Sequence, residues 1–220
     1  MPLAPHELAE RYIDAKNAVV EKGFAHEIDW YAALDLRAMT ETDFLREAAW
    51  VILNAGMRES VVRSRFQKIT DAFLGWRDAA SIVETQSRCE ENGRLHFNHD
   101  RKIKAIVAVA KRVLETEFEV VKRCVVEEGP TYLITFDFIG PVTSLHLAKN
   151  LGANVVKPDR HLVRIAAQTH YSSAKKMCEA ISFITGEKLA VIDTALWRFA
   201  AITPKYERYF ATKRKVESIV

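Results

Sequence analysis

The chain has 220 residues, of which 49% are hydrophobic and 28% charged, and its net charge at pH 7 is +3. That length suits one compact unit or two lobes sharing a cleft, and the apolar content is enough for a sizeable core. The small net charge argues against a disordered basic tail that binds nucleic acid by charge alone, and no apolar run is long enough to span a bilayer.

Cys89, Cys124 and Cys178 stand apart from one another, form no C-x-x-C pair and are odd in number, so reduced thiols are expected rather than a disulfide framework. The first residues are polar and charged and show no secretory signal, which makes a cytoplasmic location the expectation.

Periodicity predicts helices nearly throughout. A first amphipathic helix runs from Pro5 to about Glu21, with Leu8, Tyr12, Ala15 and Val19 on one stripe. Ile28–Leu34 reads as a short aromatic connector or helix. Thr40 to Asp43 then supply a helix start for Phe44–Ala55, which stops at Gly56. Ser60–Phe73 follows with Val62, Phe66 and Ile69 inward, and Ala79–Arg88 reads as another short helix.

Glu90–His99 mixes Gly, Asn and His without periodicity and is expected to be a loop. Arg101–Val120 is expected to be one long helix burying Ile103, Ile106, Val107, Ala110 and Leu114. Segments Thr131–Phe138 and Val142–Leu151 flank a turn at Gly140, and Gly152 fits a C-cap. Asp159–Gln168, Ala174–Ile184 and Lys188–Ile202 complete an all-α chain, ahead of a charged tail containing Lys213, Arg214 and Lys215.

The stretch from Phe136 to Arg164, FDFIGPVTSLHLAKNLGANVVKPDRHLVR, carries the functional signal. A turn with exposed amides followed by a helix start can hold a phosphate, and Pro141 fits the first helical position, where its missing amide costs nothing. Thr143 can cap that helix or bond the phosphate. Asp159, just after Pro158, can cap the next helix and keep one oxygen for chemistry. The bland alternatives are an ordinary turn between packed helices and an ordinary cap. The density of Lys157, Arg160, His161 and Arg164 on one short segment favours a site.

The segments F-I-G-P-V-T-S and V-V-K-P-D-R-H-L-V-R resemble the helix-hairpin-helix, Gly/Pro-rich loop and aspartate signature of base-excision DNA glycosylases. That family pattern is close to L-P-G-[VI]-G-x-x-T-A, a spacer and V-D-x-H-V-x-R. Ile139, Gly140, Thr143, Asp159, His161, Val163 and Arg164 fall at matching places. W-V-I-L-N-A-G-M, R-K-I-K-A-I and D-T-A-L-W match other family segments more loosely.

The sequence also departs from the pattern. Asp137 and Phe138 stand where the family has Pro and its first Gly. Val142 occupies the position of the catalytic lysine of lyase-type members, so Schiff-base chemistry is not expected. Lys149, about 10 Å further along the helix at 1.5 Å per residue, is a poor substitute. The cysteine loop for an iron–sulfur cluster and the zinc ligands of the alkyladenine branch are both missing.

The resemblance therefore implies two helical lobes with an active-site cleft between them. One lobe comprises residues 1–38 and 156–220; the other, 39–155, carries the hairpin at about residues 131–152. It implies a monofunctional DNA glycosylase, nearest the alkylpurine branch, without cofactor or metal. Its expected partner is double-stranded DNA with a damaged or modified base, with no membrane involved, and its expected state is a bacterial-type monomer, nucleoid-associated when acting. Asp159 would stabilise the oxocarbenium-like sugar and orient water.

Gly140, Pro141, Val142, Thr143, Lys149, Arg160 and Arg164 would hold the DNA backbone, and Arg63, Arg65, Arg101, Lys102 and Lys104 would extend the track. Trp30, Trp50 and Phe97 are candidates for the base pocket, and Asn54 and Met57 for the side chain that fills the gap left by the flipped base. Each of these has core packing or a solvated face as its plain alternative. Competing functions are a DNA-damage-binding protein without turnover and a helical interaction protein with no nucleic-acid role.

Overall fold

The computed structural model describes residues 1–211, and these are all-α with no strand among them. In chain order the helices are α1 (Pro5–Val19), α2 (Ala25–Ala33), α3 (Glu41–Asn54), α4 (Glu59–Ala72), α5 (Ala79–Glu84), α6 (Gln86–His96) and α7 (Asp100–Thr116). They continue as α8 (Phe118–Glu128), α9 (Pro130–Leu133), α10 (Pro141–Asn150), α11 (Arg160–Gln168), α12 (Ala174–Thr185), α13 (Leu189–Ile202) and α14 (Glu207–Phe210). The chain divides into two compact units, one made of Met1–Ala33 with the chain from Asn154 onward, the other of Leu34–Ala153.

The first unit is built from both ends of the chain. α1 buries Leu8, Tyr12, Ala15 and Val19 against Met177 and Ile181 of α12 and Ile192, Leu196 and Phe199 of α13. Burying each such aliphatic or aromatic side chain contributes about 1.5–3 kcal/mol before conformational entropy is counted. Polar groups satisfy one another inside this packing: Tyr12 Oη donates to Glu187 at 2.6 Å, and Lys16 Nζ reaches the same carboxylate at 2.9 Å. The chain leaves α1 through Gly23, at φ +87°. α2 is then fixed to α13 by Arg198, which pairs with Glu27 and lies over the rings of Phe24 and Trp197 at 4.5 and 4.6 Å.

The second unit is organised on α3, which packs against α4, α7 and α10. Its start is a reciprocal cap: Asp43 N–H donates to Thr40 Oγ1 at 3.1 Å, and Thr40 N–H donates back to Asp43 Oδ2 at 3.2 Å. Its apolar face, with Phe44, Val51, Ile52 and Leu53 fully buried, meets the stripe of Ile103, Ile106, Ala110 and Val113 on α7. Phe73 and Trp76 stack at 5.1 Å beneath α4.

Four expectations are corrected. Glu90–His99 is mostly helix: α6 contains Gly93, where a Cβ would stand 3.0 Å from Phe73 Cε2 and 3.2 Å from Ile103 Cδ1. Glycine there serves close helix packing rather than a loop. Arg101–Val120 is not one helix, because Glu117 takes φ +68° and separates α7 from α8. Leu114 is exposed (46%), and Val113 takes its place in the stripe. The first hairpin helix is a single turn, α9, rather than the whole of Thr131–Phe138.

Candidate nucleic-acid interface

In the second unit, α9 leads through a turn into α10. Leu133, Phe136 and Ile139 are buried and anchor that turn, which the bonds Phe136 N–H to Leu133 O and Ile139 N–H to Phe136 O hold closed at 3.1 Å each. Arg112 of α7 supports it from outside, with its guanidinium 4.2 Å from the Phe136 ring centre and Nη1 donating to Thr135 O at 2.6 Å.

The left-handed residue of this turn is Phe138, at φ +65°, and not Gly140, whose φ of −99° and ψ of −175° any residue can adopt. A Cβ on Gly140 would meet nothing closer than Thr143 Oγ1 at 3.8 Å, so the backbone alone does not demand glycine there.

Gly140 N–H donates to Thr143 Oγ1 at 2.6 Å, and the Thr143 hydroxyl donates back to Gly140 O at 3.1 Å. Thr143 therefore caps its own helix. Ser144 N–H takes the Gly140 carbonyl at 2.8 Å, and Pro141 carries no N–H. The amides of Val142 and Thr143 are left without an acceptor among the described residues, at a helix start where the dipole favours an anion. Val142 is 45% exposed.

Asp159 lies in the first unit and caps α11. Its Oδ1 accepts from His161 N–H at 2.9 Å and from Leu162 N–H at 3.0 Å, while Oδ2 has no hydrogen-bond partner among the described residues. The backbone before it is held tightly. Asp159 N–H donates to Lys157 O at 2.8 Å, and Lys157 N–H donates to Asp193 Oδ2 at 2.6 Å. Asp193, on α13, is 2% exposed.

Leu162, Ile165 and Ala166 bury one face of α11, leaving Arg160 and Arg164 outward. Arg160 Nε donates to His161 Nε2 at 3.3 Å, and His161 Nδ1 lies 2.9 Å from Tyr206 Oη. Burial lowers the His161 pKa, Arg160 and Arg164 push it the same way, and Asp159 and Glu207 oppose them. Arg164 stands 3.6 Å from Glu207.

The remaining candidates separate clearly. Met57 projects beyond Gly56 (φ +70°) and is 41% exposed, whereas Asn54 turns back on α3 and donates Nδ2 to Trp50 O at 2.9 Å. Trp50 is half-buried, edge-on to Phe66 at 5.0 Å, with Arg63 over its ring at 5.5 Å. Trp30, in the first unit, is 39% exposed beside Tyr31.

Three expectations fail on burial. Phe97 is 2% exposed and offers no face to a base. Lys149 is 5% exposed and engaged within the protein, so it is not a surface cation facing a phosphate. Lys102 is likewise 2% exposed and leaves the basic track, while Arg101 and Lys104 stay on the surface, Lys104 paired with Asp100 at 2.8 Å. Burial brings the Lys102 pKa down to about 8. Lys213, Arg214 and Lys215 lie outside the described residues.

Asp193 escaped the sequence reading because one acidic residue in an apolar helix carries no local sign of which amide it accepts. An Asp inside the run L-A-V-I-D-T-A-L-W was the available signal, since a buried carboxylate must find donors.

No protein-family model and no curated protein matches the chain. Among solved structures, the Methanocaldococcus jannaschii 8-oxoguanine glycosylase/lyase, in complex with a 15-mer DNA containing 8-oxoguanine, superposes with a TM-score of 0.56. The two sequences are 18% identical, and the match covers 87% of this chain and 95% of that one. At that identity the likeness is one of fold.

Proposed function

We propose that this chain, having the fold of a DNA glycosylase/lyase, is itself a DNA glycosylase that removes a damaged or modified base from duplex DNA by hydrolysis, without a lyase step. The observation that carries this reading is the Asp159 carboxylate. It uses one oxygen to cap α11 and leaves the other unbonded, on a helix whose outward face carries Arg160 and Arg164.

The reaction breaks the C1′–N bond, whose electron pair leaves with the base. Positive charge develops on C1′ and the ring oxygen, and an ionised carboxylate stabilises it. Water adds its oxygen to C1′ and gives up a proton, which Asp159 Oδ2 accepts or directs toward the leaving base. The target nucleotide has to leave the stack first, which favours lesions that unstack cheaply. The free amides of Val142 and Thr143, with Arg160 and Arg164, are the groups suited to holding phosphates. An exposed valine where lyase-type enzymes carry a lysine supports attack by water rather than by a protein amine.

The test is base release from a panel of duplexes carrying 8-oxoguanine, alkylated purines or mispaired uracil, with Asp159→Asn as the paired variant. At least one lesion should be released by the wild-type protein. The substitution should slow that release by about 100-fold or more while binding to abasic-site DNA survives. Equal turnover in wild type and Asp159→Asn would remove Asp159 from the mechanism. Tight lesion binding with no release of any base would favour a binding protein instead.

A further inference from the structure

Lys102 is the meeting point of three segments of the second unit. Its ammonium donates to Leu53 O and to Ala55 O, both at 2.6 Å, and so closes the C-terminal end of α3 just before Gly56 and Met57. The same ammonium lies 5.8 Å from the ring centre of Phe97 and 5.8 Å from that of Phe138. Phe138 is the left-handed residue of the hairpin turn. Its ring is further enclosed by His99, edge-on at 6.2 Å, and by the Arg101 guanidinium at 5.9 Å.

Two features of this arrangement call for an explanation beyond filling space. A charged group that is almost wholly buried is costly, and an apolar side chain of similar length would fill the volume more cheaply. A bulky residue held at positive φ is also strained, and a glycine would sit there freely. Both costs are met at one point, where the lysine charge faces the ring of the strained residue. The strained backbone at Phe138 puts an aromatic face where the ammonium can use it.

We infer that Lys102 is a positioning residue that ties the end of α3 to the hairpin turn, so that the Gly56–Met57 corner and the free amides of Val142 and Thr143 are held in one fixed relation. The link stands on the second unit's geometry alone. Its consequence for DNA rests on the function proposed above, because a side chain that fills a duplex gap and a turn that holds a phosphate must keep a set spacing to engage the same duplex.

Two variants test it, each read by hydrogen exchange and by affinity for a duplex with a tetrahydrofuran abasic site. Lys102→Met keeps the stem and removes the charge and the donors. Phe138→Leu removes the ring and leaves α3 and Lys102 untouched, so it still reports if Lys102→Met fails to fold. In each variant, amide exchange over residues 51–58 and 136–145 should rise together by about fivefold or more, with α12 and α13 unchanged. Affinity for the abasic duplex should fall about tenfold.

If Lys102→Met loosens 51–58 alone, or Phe138→Leu loosens 136–145 alone, the link is overturned. Coupled loosening with unaltered affinity for any duplex would leave the link standing and count against the glycosylase reading.

Discussion

The Asp193 carboxylate on α13 accepts the Lys157 amide at 2.6 Å, two residues before Asp159. Pro158 fixes φ between them, and the Asp159 amide returns to Lys157 O at 2.8 Å. The candidate catalytic carboxylate thus stands on a short, stiff piece of backbone whose upstream end is held by a buried acid.

Asp193→Ala should therefore act on catalysis more than on binding. A small displacement of Asp159 is expected to lower single-turnover base release by about 100-fold, with affinity for abasic-site DNA changed by less than about threefold. Asp193→Asn keeps an acceptor oxygen and should recover most of the loss. Equal loss in both variants would point to the charge rather than to the bond with Lys157.

Val142 supplies a second prediction. Borohydride should not trap the wild-type protein on abasic DNA, because the exposed second position of α10 carries no amine. Val142→Lys places one there, and a covalent adduct visible on a denaturing gel is the expected result. Trapping of the wild type would mean that a lysine elsewhere is the nucleophile.

Gly152 supplies a third. It takes φ +101°, and a Cβ there would stand 2.7 Å from Leu36 N and 3.0 Å from Asp35 C, both backbone atoms that cannot swing aside. Gly152→Ala combines left-handed strain with overpacking and should cost about 2–4 kcal/mol in urea unfolding. A cost under about 1 kcal/mol would show that the 34–36 segment yields easily.

Much of the helical pattern was legible in the sequence because it rests on periodicity and caps, which are local. Thr40 with Asp43 and Asp159 before α11 are self-contained signals, and both cap their helices. Two of the errors came where a distant contact decided the outcome. Gly93 looks like a loop residue until Phe73 and Ile103 are seen against it, and Lys102 looks like a surface cation until the carbonyls of Leu53 and Ala55 are found around it. The hairpin was legible in outline, but its strained residue was not. A sequence shows a Gly at 140 and a Phe at 138 without showing which of them bears the positive φ.

His161 gives a prediction in pH. Its folded pKa lies below its ordinary value, burial being the main cause, so the unfolded chain binds the extra proton more readily. Stability from this group is present above about pH 6.5, the unfolded value, and is lost as pH falls through the lower folded value. Melting temperatures between about pH 7 and 5 should fall more steeply for the wild type than for His161→Gln. Parallel curves would assign the acid sensitivity elsewhere.

The first unit takes its helices from the two ends of the chain, and this bears on the order in which the protein is made. Lys16 meets Glu187 across 171 positions, so α1 emerges from the ribosome long before the α12 and α13 surfaces it covers. The Leu34–Ala153 unit is continuous and can fold during synthesis, while the apolar stripe of α1 waits for its partners. Asp159, seated on Lys157 and through it on Asp193, falls into its final setting only after α13 is complete. A nascent or C-terminally shortened chain is thus expected to carry a formed hairpin with no organised carboxylate and, on the function proposed above, to hold DNA before it can act on it.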